Sequence, residues 1–329
     1  MKMALADEIQ KNHEIFISDF QTLEEEISKR IVGQKQLLRE TLVTIMAGGH
    51  LLMEGVPGLG KTLLVRTIAE AVDCSFARIQ FTPDLVPADL IGTEMIVQRD
   101  SVPTFEFRKG PIFTHILLAD EINRATPKTQ SALLEAMEEK TVTVGGIRYP
   151  LGDLFFVMAT QNPIEMEGTY PLPEAQLDRF FSKLSVPYPT ISELNKILEI
   201  TADAGQIQIS PVMTSSRLKE MEQFARAVPV APSLLECISI LISSTWPHSP
   251  HSTDSVRKYL KYGASPRGGR ALLSAAKIFA LLDGRYNVSQ KDIKLAAPMV
   301  LRHRILLNYE GLAASMTPEI LIESLLERI

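Results

Sequence analysis

The chain has 329 residues with 34 basic and 39 acidic side chains, which gives a formal net charge of −5 at pH 7. Hydrophobic residues make up 45% and charged residues 22%, the proportions of an ordinary globular protein, and they exclude a disordered chain, a fibrous repeat and a disulfide-stapled miniprotein. The length is sufficient for roughly two domains, and the acidic balance argues against a surface coated with nucleic-acid-binding charge.

The cysteine content and the N-terminal sequence indicate the cellular compartment. Two cysteines, Cys74 and Cys237, and no CxxC motif predict half-buried free thiols in a reducing compartment. Asp7 and Glu8 interrupt the N-terminal segment, which lacks the apolar region of a signal peptide. No stretch reaches about 18 uncharged apolar residues, the length of a membrane-spanning helix. We therefore expect a cytoplasmic protein that does not insert into a membrane.

The chain begins with predicted helices and continues as an alternation of short apolar runs and helical segments. The first 48 residues are predicted to be helical, with Phe16, Phe20 and Leu23 at helical spacing, and the second helix ends at the pair Gly48-Gly49. The apolar runs that follow lack polar alternation and are each followed by a turn; they cover residues 50–53, 75–81, 115–119, 154–159 and 184–187. Such runs are typical of strands buried on both faces of a parallel sheet, and they predict a three-layer α/β domain.

Two segments within this domain are predicted to form antiparallel hairpins. Residues 141–144 alternate in polarity, turn at Gly145-Gly146 and return through 147–149, and a two-residue Gly-Gly loop is a strong hairpin signal. Residues 94–98 and 104–108 flank a longer turn. Neither hairpin is needed to complete the sheet, so both are predicted to be insertions.

The C-terminal part of the chain is predicted to be a separate helical domain. Pro187 and Pro189 mark a linker, after which the strand signal disappears. Predicted helices cover residues 191–201, 214–228, 233–246, 267–282 and 289–302, and Ser289 with Asp292 forms a capping box at the last of them. We place the boundary near Tyr188, which gives an α/β domain over residues 1–187 and an all-helical domain over residues 188–329.

A phosphate-binding loop follows the first predicted strand. The motif GxxxxGK[ST] is matched, in order, by Gly55, Val56, Pro57, Gly58, Leu59, Gly60, Lys61 and Thr62. Glycines let successive backbone N–H groups point inward at a phosphate, and the N-terminus of the following helix adds positive potential. Lys61 is predicted to reach the terminal phosphates of a nucleoside triphosphate, and Thr62 to ligate Mg²⁺.

A pair of acids ends another predicted strand. Asp120 and Glu121 follow the apolar run 115–119. Beside a phosphate-binding loop, Asp120 is predicted to hold Mg²⁺ and Glu121 to polarise the water that attacks the γ-phosphate. The alternative, in which one of these acids only caps the next helix, is common for an isolated acid.

These motifs, taken in order, resemble the MoxR family of AAA+ ATPases. The resemblance rests on the phosphate-binding loop and on the runs Ala119-Asp-Glu-Ile-Asn-Arg-Ala125, Ala159-Thr-Gln-Asn-Pro163, Pro173-Glu-Ala-Gln-Leu-Asp-Arg-Phe180 and Gly263-Ala-Ser-Pro-Arg267. It implies a P-loop AAA+ core with a three-layer αβα architecture, a helical lid formed by the C-terminal domain, and ATP and Mg²⁺ as ligands.

The resemblance also implies roles for residues outside the loop. Asn162 resembles the sensor 1 residue that orients the attacking water, although an Asn after a strand is often only a turn residue. Arg179 resembles the arginine finger that reaches the γ-phosphate held by the adjacent subunit; the alternative is a surface salt bridge with Asp178 or Glu174. Arg267 resembles sensor 2, which is expected to contact the γ-phosphate of its own chain. The segment that packs on adenine is expected at Val32, Gly33 and Gln34.

The function implied by the resemblance is that of an ATP-driven chaperone. Subunits are expected to form a ring, of six copies by analogy, that remodels client proteins, including partners with von Willebrand factor A domains. Both hairpins are expected to line the central pore, where Phe105 and Phe107 would contact the client, although both side chains could equally face the core. One alternative is a nucleic-acid motor, and the acidic composition argues against it. The other is an adaptor that binds ATP without turnover, and the complete set of catalytic residues argues against that. The role of Arg124 stays open.

Overall fold

The structure is a computed structural model that describes residues 2–99, 102–163, 168–202 and 207–329. The helices are α1 (Lys2–Ser28), α2 (Lys35–Met46), α3 (Lys61–Ala71), α4 (Pro87–Ile91), α5 (Pro127–Glu139), α6 (Glu174–Leu177), α7 (Ile191–Ala202), α8 (Ser215–Ala227), α9 (Pro232–Ser244), α10 (Asp254–Tyr259), α11 (Pro266–Leu282), α12 (Gln290–Leu301), α13 (Tyr309–Ala313) and α14 (Pro318–Leu326). The strands are β1 (Leu51–Glu54), β2 (Phe76–Gln80), β3 (Gly92–Arg99), β4 (Val102–Lys109), β5 (Ile116–Asp120), β6 (Thr141–Val144), β7 (Ile147–Pro150), β8 (Phe156–Gln161), β9 (Ser182–Ser185), β10 (Leu260–Tyr262) and β11 (Leu306–Leu307).

The five predicted apolar runs form one parallel sheet. Its strand order is β2-β5-β8-β1-β9, and every neighbouring pair is parallel. Alternate residues of β1 point to opposite faces, since Leu51 and Met53 belong to one buried cluster and Leu52 to the other. This arrangement is the predicted three-layer α/β domain. The exception is β2, which lies at the edge of the sheet and is partly exposed, so it is not buried on both faces as its run predicted.

Both predicted hairpins are present, and neither belongs to the main sheet. In the β6–β7 hairpin, Gly145 and Gly146 both have positive φ (57° and 80°), as a tight two-residue turn requires. The β3–β4 hairpin pairs in register from Gly92–Lys109 to Arg99–Val102, and the middle of its predicted turn, Asp100 and Ser101, lies outside the described residues. The hairpins contact each other through Phe107 and Tyr149, whose ring centroids are 4.4 Å apart.

The C-terminal domain consists mainly of helices, and the predicted capping box at Ser289 and Asp292 is confirmed. It also contains a short antiparallel pair, β10 with β11, which the sequence pattern did not predict. Strands of three and two residues are too short to show the alternation by which strands are detected in a sequence. The domain packs on the N-terminal helix α1, where Arg217 pairs with Asp19 at 2.7 Å.

We predict that the two phenylalanines of β4 differ in their contribution to stability. Phe107 packs against Phe113 and Tyr149, whereas Phe105 is 75% exposed. Phe107→Ala should therefore destabilise the hairpins by about 2 kcal/mol or more, and Phe105→Ala by less than about 0.5 kcal/mol. Hydrogen exchange of the β3–β4 and β6–β7 amides measures the difference, and equal protection in both variants would contradict it.

Candidate active site

The phosphate-binding loop connects β1 to α3 at the carboxyl end of the sheet. Gly58 and Gly60 have φ values of 86° and 79°, and no atom lies within 4 Å of the position that a Cβ would take in either residue. The loop backbone therefore faces open space at the N-terminus of α3, where backbone N–H groups attract anions. Lys61 donates to the carbonyl oxygens of Gly55 and Val56. Partial burial lowers the pKa of Lys61, and the carboxylates of Asp120 and Glu121 oppose that shift.

Thr160, on the neighbouring strand β8, connects the two acids that end β5. Its hydroxyl donates to Asp120 Oδ1 at 2.6 Å and accepts the backbone N–H of Glu121 at 2.9 Å. Thr160 is buried, so both hydrogen bonds are shielded from water. Thr160 belongs to one of the sequence motifs, but no role was predicted for it, because its partners lie 40 and 39 positions away, at the end of another strand.

The edge strand β2 supplies two further partners for these acids. Arg78 pairs with Asp120 Oδ2 at 2.5 Å, and the Gln80 amide donates to Glu121 Oε2 at 2.6 Å. Arg124 also pairs with Glu121, at 3.0 Å, which gives this arginine a contact within its own chain. Glu121 itself has φ 57°, a left-handed conformation that is uncommon outside glycine and clusters at functional sites. The two carboxylates are therefore held from several sides.

Asn162 and the expected adenine segment lie at the same edge of the sheet. Asn162 directly follows β8, whose last residue Gln161 pairs with Glu54 beside the loop, and it is buried. Gln34 begins α2 and donates its backbone N–H to Glu193, near the start of α7. Hydrogen bonds from Thr190, and the one from Gln34, lower the pKa of Glu193. Gly33 and Gln34 therefore lie against Glu193, on the chain that leaves β9, and Val32 directly precedes them.

Arg179 lies at the opposite edge of the sheet. The N–H of Phe181, two residues on, donates to the carbonyl of His50 at 2.8 Å, and His50 precedes β1 whereas Gly55 follows it. Five residue steps along a strand separate these edges by roughly 16 Å. The Arg179 guanidinium donates to Leu134 O at 2.9 Å and pairs with Glu138 at 3.0 Å on α5. The salt bridge is therefore made with Glu138 rather than with the expected alternatives, Asp178 or Glu174.

Arg267 lies beside Arg179. It lies at the start of a helix, as predicted, although α11 begins one residue earlier, at Pro266. Its guanidinium pairs with Glu138, the same carboxylate that binds Arg179. Arg267 also lies 3.9 Å from Asp178. This position differs from the expected contact with the γ-phosphate of its own chain, because α11 packs at the edge where the strands begin, away from the phosphate-binding loop.

The residues at the loop edge fit a nucleoside triphosphate and its magnesium ion. The open glycine backbone and Lys61 suit an anion, and Asp120 supplies a carboxylate on the adjacent strand. Mg²⁺ typically takes one or two carboxylates and completes its coordination with water and substrate phosphate. No group of three or more His, Cys, Asp or Glu side chains that could hold a metal occurs among the described residues. Thr62, in the first turn of α3, is the expected hydroxyl ligand.

The structure also describes the two cysteines and the apolar character of the helices. Both cysteines are partly buried free thiols, and burial raises the pKa of Cys74 to about 11. In the parts of the chain that the structure describes, no single helix is long and apolar enough to cross a membrane. The consecutive helices α8 and α9 have sufficient length and apolar character only when they are combined, and the pair is bent by 97°.

Comparisons with known proteins agree with this site. Residues 50–182 match the family described as "ATPase family associated with various cellular activities (AAA)", and residues 253–324 match the AAA lid domain. The chain is 42% identical over 304 residues to Chaperone MoxR1 of Mycobacterium tuberculosis, covering 92% of this chain and 80% of that protein. It is also 42% identical over 306 residues to the uncharacterized protein YeaC of Bacillus subtilis, covering 93% and 92% respectively.

A solved structure has the same architecture. A crystal structure from Cytophaga hutchinsonii, described as that of a candidate ATPase, superposes with a TM-score of 0.91 and is 39% identical. The alignment covers 100% of this chain and 98% of that one. The α/β core with a helical C-terminal domain is therefore the fold of a solved relative.

We predict that ATP hydrolysis requires the hydroxyl of Thr160, which aligns Asp120 and Glu121. Thr160→Val keeps the shape of the side chain but removes both hydrogen bonds, and a buried N–H left without a partner costs about 1–3 kcal/mol. ATP hydrolysis by Thr160→Val should fall at least about 10-fold because Asp120 and Glu121 lose their alignment. Thr160→Ser keeps the hydroxyl and should retain most of the activity. Equal rates of ATP hydrolysis for the two variants would contradict this role.

Proposed function

The chain belongs to the MoxR family of AAA+ ATPases, and from that premise we propose that it hydrolyses ATP as a ring of identical subunits and uses the energy to remodel client proteins. Within each subunit, the loop from Gly55 to Thr62 binds the triphosphate. The observation that supports this proposal most directly is that Lys61 and the two acids lie at one edge of the sheet while Arg179 lies at the other.

Each residue at the loop edge has a defined task in this proposal. Lys61 binds the terminal phosphates, and Thr62 with Asp120 holds Mg²⁺, which supplies charge neutralisation at the phosphate oxygens when bound. Glu121 accepts a proton from the attacking water, which Asn162 orients. Val32, Gly33 and Gln34 contact the adenine. Thr160 keeps Asp120 and Glu121 at a fixed separation.

Arg179 completes the site of the adjacent subunit. A separation of roughly 16 Å between the edges of the sheet keeps Arg179 from its own phosphate-binding loop. A head-to-tail contact between copies, which closes into a ring, brings the two edges of neighbouring subunits together. Arg267 shares Glu138 with Arg179, so we assign it to the same neighbouring site rather than to its own. An arginine supplied in this way raises the rate by about 10³–10⁵.

The hairpins provide a surface for clients. Ile96 and Phe105 are cross-strand partners on one face of the β3–β4 hairpin and are 67% and 75% exposed. Ile147, at the second hairpin, is exposed as well. Phe107, in contrast, packs between the hairpins, so of the two phenylalanines we assign only Phe105 to client binding. Chaperone MoxR1 is a relative with a chaperone's name, and partners with von Willebrand factor A domains are candidate clients.

Variants at Lys61 and Glu121 separate ATP binding from hydrolysis. Lys61→Ala removes the charge that faces the phosphates and should weaken ATP binding, as measured by calorimetry. Glu121→Gln keeps the shape of the side chain but cannot accept a proton, so ATP should still bind while hydrolysis falls at least about 10²-fold. Hydrolysis by Glu121→Gln at the wild-type rate would contradict its assignment as general base.

Mixed rings test the assignment of Arg179 to the neighbouring site. Arg179→Ala leaves its own loop intact, and Glu121→Gln leaves its own arginine intact. Arg179→Ala alone should lose at least about 10³-fold in rate, and Glu121→Gln alone at least about 10²-fold. After random mixing in equal amounts, about one interface in four pairs an intact loop with an intact arginine, so activity should return to a comparable fraction of wild type. If mixing restores nothing, Arg179 does not act across an interface.

A further inference from the structure

Arg304, in the C-terminal domain, is a buried arginine to which the sequence motifs give no role. It follows α12 and its side chain is only 3% exposed. Removing a guanidinium from water costs several kcal/mol unless its donors are satisfied. The run Arg302-His-Arg304 is basic, a pattern that fits either a docking surface or the interior of the domain, and the burial of Arg304 decides in favour of the interior for this residue.

All five N–H donors of Arg304 have acceptors. Four of the five bonds go to a single segment of the α/β core, between α6 and β9. They reach Asp178 Oδ1 at 2.8 Å, Asp178 O at 3.0 Å, Phe180 O at 2.6 Å and Phe181 O at 3.1 Å. The fifth goes to Val300 O in α12. The planar fork of an arginine can satisfy such a set of acceptors, whereas the three donors of a lysine ammonium cannot.

The segment that Arg304 binds is the one that carries Arg179. Arg304 contacts the residues on both sides of Arg179, so the backbone from which that side chain projects is fixed from the C-terminal domain. The Arg179 side chain itself points away, to Glu138 and Leu134 on α5. Arg304 therefore acts on Arg179 through the backbone of the neighbouring residues Asp178 and Phe180.

The same cluster fixes Arg267. Asp178, held by Arg304, accepts a hydrogen bond from Ser265 Oγ at 2.7 Å. Ser265 caps the N-terminus of α11 by accepting the backbone N–H of Arg267 at 3.1 Å. Arg179 and Arg267 then meet on Glu138. Hydrogen bonds from Arg304 and Ser265 to Asp178 thus connect the backbone segments that carry Arg179 and Arg267. The Glu138 carboxylate connects the two guanidinium groups.

We propose that Arg304 is a positioning residue for ATP hydrolysis, which holds Arg179 and Arg267 at a fixed separation so that both reach the neighbouring subunit's triphosphate together. The proposal rests on the proposed function, in which Arg179 acts across an interface. It assigns to the C-terminal domain a direct influence on the arginines, in addition to that domain's contact with α1.

Arg304→Lys tests this proposal with little change in charge or size. The lysine cannot satisfy the four acceptors of the core segment, so Arg179 and Arg267 should lose their fixed geometry. We expect kcat for ATP hydrolysis to fall about 10²-fold, because small displacements of catalytic groups have effects of this size. KM for ATP should stay unchanged, because the variant's own phosphate-binding loop is intact. A wild-type kcat in folded Arg304→Lys would overturn the proposal.

Arg285→Lys is the matched control. Arg285 also makes two hydrogen bonds to a buried carboxylate, that of Asp292, but its partners Asp283, Asn287 and Asp292 all lie within the C-terminal domain. Loss of stability in that domain alone should therefore affect both variants, whereas loss of kcat should be confined to Arg304→Lys. Should Arg285→Lys lower kcat equally, Arg304 has only a structural role.

Mixed rings distinguish positioning of the arginines from a general defect. Arg304→Lys mixed with Glu121→Gln should regain activity, because the Glu121→Gln subunit supplies intact arginines to an intact loop. Arg304→Lys mixed with Arg179→Ala should regain none, because both variants are defective at the same edge. The opposite pattern would place the effect of Arg304 at its own nucleotide site and would overturn the proposal.

Two further comparisons separate failure of the positioning role from failure of the proposed function. If Arg179→Ala and Glu121→Gln also fail to complement each other, the proposed function itself fails, and the positioning role falls with it. If that pair complements and the Arg304→Lys pair does not, only the positioning role is rejected. Should Arg304→Lys not fold, Ser265→Ala removes the link between Asp178 and α11 without leaving a buried charge, and it should show the same complementation with an approximately 10-fold loss of kcat.

Discussion

The length of the parallel strands is the constraint on which the rest of this molecule depends. All five strands of the main sheet run in the same direction, so every loop that follows a strand lies at one edge and every loop that precedes a strand lies at the other. Lys61, Asp120, Glu121 and Asn162 belong to the first set, and the segment around Arg179 belongs to the second. The strands are longer than an arginine side chain, so the two sets do not meet within one copy of the chain.

Buried hydrogen bonds maintain each edge separately. At the loop edge, the Thr160 hydroxyl links Asp120 to the backbone of Glu121, and β2 adds Arg78 and Gln80 from the side. At the other edge, Glu138 gathers two guanidinium groups and Asp178 joins the core to the C-terminal domain. Because Thr160 is buried and the Asp178 side chain is 17% exposed, an unmade hydrogen bond at either residue is costly, and these side chains have few alternative arrangements.

The inserted hairpins show a division between structure and surface within a single strand. Phe105 and Phe107 lie on the same face of β4, two residues apart, yet only Phe107 meets the second hairpin. The two-residue spacing predicts that Phe105 and Phe107 lie on the same face of β4. It does not predict which of the two side chains the β6–β7 hairpin covers. An exposed aromatic side chain beside Ile96 forms an apolar surface that the rest of the described chain does not cover, which is the usual character of a protein-binding site.

Features formed by residues that lie close together along the chain could be predicted from the amino-acid sequence. The glycines of the phosphate-binding loop, the acids that end β5, the Gly-Gly turn and the cap at Ser289 each act within a few positions of the chain, so their residue types are sufficient to predict them. The tertiary structure decided the long-range partners: Thr160 for the acids, Glu138 for Arg179 and Arg267, and Asp178 for Arg304, which is 126 positions away. Such pairs leave no periodic signal in the sequence. Pairing of β5 with β8 brings Thr160 to the acids, and packing within the core brings Arg179 to Glu138. Packing of the helical domain against the core brings Arg267 and Arg304 to their partners.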